Sequence, residues 1–135
     1  MKVFENNIEI IMVKSINKGL VPRVLWLDDI RDPFDSKMNW VKEITHLVGT
    51  IQITWAKNVD EFKKYVEQEM PDIICFDHDL GEGESGMDAA KWLVNHCFDN
   101  DIEIPTVYSQ SSNPVGRENI LSYVRQAKRS QIYGR

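Results

Sequence analysis

Four aspartates fall in two tight groups, Asp28 with Asp29 and Asp77 with Asp79, each group directly after a short apolar run. Carboxylates gathered in one pocket repel one another, and a hard divalent cation is the simplest compensation. Carboxylate oxygens suit Mg²⁺ or Mn²⁺, ions that also hold substrate phosphates. A single aspartate at a strand end usually caps a turn or a helix. Two separated groups at strand ends that lie side by side point instead to a metal site made of Asp28, Asp29, Asp77 and Asp79. His78 stands between Asp77 and Asp79, where it is either a general acid or a ring that only bonds a loop carbonyl. His46 and His96 fall on helical patterns and read as structural.

A second polar segment, SQSSNPVGREN, begins at Ser109. Its hydroxyls and amides precede a helix start at Pro114, where free backbone N–H groups and the helix dipole favour an anion. Arg117 falls in the first turn of that helix, a position where a cation opposes the dipole, so a fork of donors aimed at a phosphate oxygen gives it a reason to be there. Ser109, Ser112 and Arg117 carry the weight of a phosphate-binding reading. Asn113 belongs to the same group by position, although helix capping alone accounts for it.

These groups need elements to position them. From Val21 onward short apolar runs alternate with amphipathic stretches, the pattern of βαβ units and a largely parallel sheet. Residues 24–27 (VLWL), 51–55 (IQITW), 72–76 (DIICF) and 104–108 (IPTVY) read as strands. Helices follow each of them. The first spans residues 36–47, capped by Asp35 and stopped by Gly49, and the second opens at Asn58 with Glu61 three residues on. The third opens at the Ser85 and Asp88 pair, and the last at Pro114. In an open parallel sheet, ligands bind beyond the carboxyl ends of the strands at a switch point, and in the flavodoxin-like order 2-1-3-4 the first and third strands are neighbours. Both acidic groups then meet at one place.

The whole chain sets bounds on this reading. A length of 135 residues predicts one domain, and a hydrophobic fraction of 42% with four Trp supplies a core without staples. The net charge of -5 argues against an extended nucleic-acid groove or an anionic membrane surface. Cys75 and Cys97 lack any paired spacing, which leaves zinc and disulfide frameworks without support. No apolar stretch matches a signal peptide or a bilayer span, so a cytoplasmic protein is expected. The expected organisation is an N-terminal extension over residues 1–20 with a hairpin near Glu5, an α/β domain over 21–128, and a tail over 129–135.

LWLDDIRDP, CFDHDLGEGESGMDAAKWL and YSQSSNPVGRENI together resemble the receiver superfamily, and more closely the cyclic-phosphate processing receiver domains. The resemblance spans residues 21–124. It implies an α/β, flavodoxin-like three-layer sandwich with a mainly parallel sheet, but the residues after Lys128 are too few for a further βα unit, so the fifth is missing or replaced by the N-terminal extension. It further implies Asp28 and Asp29 as the acidic pair, Asp77 as phosphoacceptor and Ser109 as the hydroxyl after the fourth strand. The lysine of ordinary receivers has no counterpart, because Lys128 follows a helix. The resulting expectation is a metal-dependent phosphodiesterase, a hydrolase that acts on a cyclic phosphate of a nucleotide or of an RNA end with Asp77 and His78 in the chemistry. A phosphate-accepting signalling module and a protein that binds a cyclic nucleotide without turnover are the alternatives.

Overall fold

The computed structural model describes residues 21–34 and 51–134. The predicted helix over residues 36–47 with its Asp35 cap, His46, Gly49 and the N-terminal hairpin lie outside the described residues. Four strands appear, β1 (Arg23–Leu27), β2 (Gln52–Ala56), β3 (Ile73–Phe76) and β4 (Thr106–Ser109). Helix α1 (Val59–Gln68) follows β2, α2 (Gly86–Asp99) follows β3 and α3 (Pro114–Tyr133) follows β4.

The sheet order is β2-β1-β3-β4 and every pairing is parallel. This is the α/β, flavodoxin-like arrangement expected from the sequence. No fifth strand occurs among the described residues. The two central strands are buried on both faces, which is why RVLWL and IICF read as nearly continuous apolar runs. With a period of two, Leu25, Leu27, Ile74 and Phe76 face one side, and Val24, Trp26, Ile73 and Cys75 face the other.

The three helices among the described residues all cover the first side. Phe62 and Val66 of α1, Ala90, Leu93 and Cys97 of α2, and Ile120 and Val124 of α3 pack with those strand residues into one cluster. Phe62 joins the layers, its ring 5.4 Å from that of Phe76 and edge-on to Trp92 at 6.2 Å. On the opposite face Val24, Trp26, Ile51, Ile73 and Cys75 form a second cluster, with Ile53 and Trp55 packed against it.

Local chemistry sets each helix start. The Asn58 side chain accepts from Glu61 N–H, and the Glu61 carboxylate reaches back to Lys57 N–H. Ser85 and Asp88 form a reciprocal capping box, and Asn113 accepts from Gly116 N–H with Pro114 at the first helical position. The last helix runs through Tyr133, well past Lys128, so the stretch expected to be a tail is helical as far as residue 133. Arg125, Lys128 and Arg129 are good helix formers, and nothing in that stretch breaks the ladder before Gly134.

Candidate functional site

The backbone ladder carries the acidic residues directly off the strand ends. Asp28 N–H donates to the Ala56 carbonyl at 3.0 Å, and Asp77 N–H donates to the Leu27 carbonyl at 2.9 Å. Because β1 and β3 are adjacent, Asp28, Asp29 and Asp77 each bring a carboxylate oxygen to a point where all three lie within 4.8 Å of one another. Asp28 is fully buried and Asp77 is 4% exposed.

Two indoles hold the Asp28 loop. Trp55 Nε1 donates to the Asp28 carbonyl at 2.7 Å, and Trp26 Nε1 donates to the Arg31 carbonyl at 2.8 Å. Within the loop, Asp28 Oδ1 accepts from Ile30 N–H and Arg31 N–H. Its Oδ2 accepts from Arg31 Nη1 and Gln110 Nε2, each at 3.3 Å. The β3 side is fixed by close packing. A Cβ at Gly86 would lie 1.9 Å from the Asp77 carbonyl oxygen, so only glycine lets α2 start so near this turn.

Electrostatics follow from burial and like charge. Desolvation, with the Asp28 and Asp29 carboxylates adding to it, pushes the Asp77 pKa up to about 6 against the opposing pull of Arg31. Arg31 Nη1 lies 3.6 Å from Asp77 Oδ1, and its Nη2 donates to Ser112 Oγ at 3.0 Å. The guanidinium therefore joins the acidic side to the β4 side. Three clustered oxygen donors, one of them a carboxyl raised by burial and by its acidic neighbours, fit a hard divalent cation.

Asp79 stands apart from that trio. Its Oδ1 lies 2.9 Å from His78 Nδ1 and its Oδ2 accepts from Asn113 Nδ2 at 3.3 Å, contacts that hold its carboxyl below the usual carboxylate range. The His78 side chain packs against the first turn of α3 at Gly116. A Cβ at Gly116 would fall 2.4 Å from His78 Cγ. His78, Asp79, Asn113 and Gly116 thus form a closed circuit between the β3 turn and the α3 start. His96 stacks on Trp92 at 4.9 Å on the outer helix layer.

On the β4 side, Ser109 Oγ donates to the Phe76 carbonyl at 2.8 Å and accepts from Ser111 N–H, so its hydroxyl braces the loop. Ser111 is buried and its Oγ accepts from Asn113 N–H. Ser112 is exposed and holds Arg31, and Arg117 Nη1 reaches back 3.4 Å to the Ser111 carbonyl. Arg31, Gln110 and Gly116 belong to the site without having been singled out from sequence. Arg31 follows Asp28 by three residues within LDDIRDP, and Gln110 follows Ser109 directly, so proximity to both polar groups was their available signal. Lys128 lines a cleft of about 360 Å³ with Asp101, Ile102 and Ile104, at the amino end of β4 and away from the acidic trio.

An all-parallel 2-1-3-4 sheet with three acids at the carboxyl ends of β1 and β3 defines a receiver-type domain. The profile of the cyclic-phosphate processing receiver domain matches residues 23–126, and the chain belongs to that family. No curated protein matches it. Among solved structures it is similar to the signal receiver domain of a Luxo repressor protein from Vibrio parahaemolyticus, at 17% identity and a TM-score of 0.44, covering 86% of this chain and 100% of that one. It is also similar to the response regulator PhyR from Brucella abortus, at 18% identity and a TM-score of 0.44, covering 84% of this chain and 53% of that one.

Proposed function

We propose that this domain is a divalent-metal-dependent phosphoesterase that opens a cyclic phosphate of a nucleotide or of an RNA end. The observation that carries the reading is the juxtaposition of two opposite charge preferences. Asp28, Asp29 and Asp77 converge within 4.8 Å, and the hydroxyl and amide segment leading into α3 lies across from them, linked by Arg31. A phosphate ester beside a divalent cation needs both halves.

Asp28, Asp29 and Asp77 would hold Mg²⁺ or Mn²⁺, and such an ion supplies polarisation of a phosphoryl oxygen and activation of water. The chain's own groups do the rest. Ser112, Arg31 and Arg117 offer donors to the phosphate oxygens beside the positive end of α3. Asp77 would accept a proton from the attacking water, or would itself attack phosphorus to give an aspartyl phosphodiester that water then hydrolyses to the monoester. Opening a ring leaves an alkoxide that must be protonated. His78, with Nδ1 engaged by Asp79, keeps Nε2 for that transfer.

The test is incubation with 2′,3′-cyclic and 3′,5′-cyclic nucleotides, their linear counterparts and an RNA ending in a cyclic phosphate, with Mg²⁺ or Mn²⁺, followed by product analysis. Metal-dependent conversion of a cyclic phosphate to a monoester is expected. His78→Ala should lower turnover by about two to four orders of magnitude while ligand binding persists. Cyclic substrates that all remain intact would remove the hydrolytic reading. A mass gain of one phosphoryl group on Asp77 after treatment with a small phosphate donor would favour the signalling alternative, and retention of an intact cyclic nucleotide would favour a binding protein.

A further inference from the structure

We propose that Arg31 is an exchangeable counter-cation: its guanidinium competes with a divalent metal for Asp28 and Asp77, and once displaced it turns to the phosphate beside Ser112. The proposal rests on the metal and phosphate reading above and adds a coupling between the two ligands. The main chain of Arg31 is anchored at both ends of the residue, by its N–H on Asp28 Oδ1 at 2.7 Å and by its carbonyl under Trp26 Nε1 at 2.8 Å. Only the side chain is left to move. Its fork straddles the site, with Nη1 3.3 Å from Asp28 Oδ2 and 3.6 Å from Asp77 Oδ1, and Nη2 3.0 Å from Ser112 Oγ.

A metal drawn to those carboxylates meets a fixed positive charge within ion-pair distance, and two cations cannot share the same oxygens without strong repulsion. The side chain is one-third exposed, so rotation about its long stem costs little packing. On the Ser112 side a planar fork matches two phosphate oxygens, which a point charge would not. Linkage then requires reciprocity. Whatever factor the metal adds to phosphate affinity by freeing the guanidinium, phosphate adds to metal affinity by drawing it away.

The experiment is calorimetric titration of Mg²⁺, and of inorganic phosphate in the presence of Mg²⁺, into the parent protein, Arg31→Gln and Arg31→Lys, with thermal unfolding to confirm that each variant is folded. Arg31→Gln should bind Mg²⁺ at least about fivefold more tightly than the parent and bind phosphate at least about fivefold more weakly, the low end of ordinary coupling factors. Arg31→Lys should keep metal affinity near the parent value, because it keeps the charge, yet lose phosphate affinity, because it lacks the fork. A merely structural arginine would weaken both ligands together or neither, and either result overturns the proposal while leaving the metal site standing. Binding of Mg²⁺ by Arg31→Gln alone would support the exchange. An absence of Mg²⁺ binding in parent and variants would overturn the exchange and the metal reading together.

Discussion

Asp77 meets opposing demands, since burial and two neighbouring carboxylates favour its neutral form while Arg31 favours its charge. Calorimetry with Mn²⁺ should show binding by the parent and none by the combined Asp28→Ala and Asp77→Ala variant, because two of three clustered ligands are then gone. Unchanged binding would move the metal elsewhere. Gly116→Ala should lower stability by about 1 to 3 kcal/mol in a thermal melt, since its Cβ would overlap the His78 ring. It should also reduce turnover more than ligand affinity. The residue types, their spacing and all three members of the trio were readable in the sequence, but the place of the fourth aspartate, Asp79, was not. Asp77 and Asp79 are two apart and would share a side in a strand, yet β3 ends at Phe76 and the turn sends Asp79 to His78 and Asn113. Arg31 sits in an aperiodic loop whose shape depends on Asp28 and two indoles contributed by different strands, information that no local pattern holds.

At the scale of elements, the start of α3 joins helix stability to the site. Asn113→Ala should destabilise the protein by about 0.5 to 2 kcal/mol through loss of the cap, and it also removes a donor from Asp79. Ser85→Ala at the start of α2 should cost a similar amount in chemical denaturation while phosphate affinity stays at the parent level. Equal losses of phosphate affinity in both would deny α3 its special role. Arg117→Ala should weaken phosphate binding by about 1.5 to 3 kcal/mol and leave metal affinity nearly intact, as measured by titration. Capping signals at Asn58, Ser85 and Asn113 are local in sequence, which is why the starts of these helices are legible there. The end of α3 was less legible, because its last turns carry no glycine or proline before Gly134 to mark a stop.

For the whole molecule, the raised carboxyl of Asp77 makes stability depend on pH. An ordinary carboxylate near 3.8 rises here to about 6, so between those values the folded state binds more protons than the unfolded one. Stability contributed by this group is therefore present at low pH, falls as pH rises from about 4 to about 6, and stays lost above. Asp79 and Asp88, both lowered, act in the opposite sense, contributing stability at higher pH that is lost on acidification. Denaturation of the parent and Asp77→Asn across pH 4 to 8 isolates the Asp77 share: the variant should gain relative to the parent as pH rises through that window. A constant difference would mean that Asp77 ionises normally. The sheet order was legible because a doubly buried strand and short βαβ connections leave few arrangements.

The central claim is that a metal and a phosphate meet in one cleft formed by β1, β3 and the start of α3. Mn²⁺ is paramagnetic, so the relaxation of ³¹P in a 2′,3′-cyclic nucleotide reports directly whether the two are neighbours. With the parent protein, Mn²⁺ and the nucleotide together, phosphorus relaxation should accelerate well beyond that seen with Mn²⁺ alone. The acceleration should vanish in the Asp28→Ala and Asp77→Ala double variant. Phosphorus that relaxes no faster with the parent than with the double variant would contradict the account, because metal and phosphate would then not share this site.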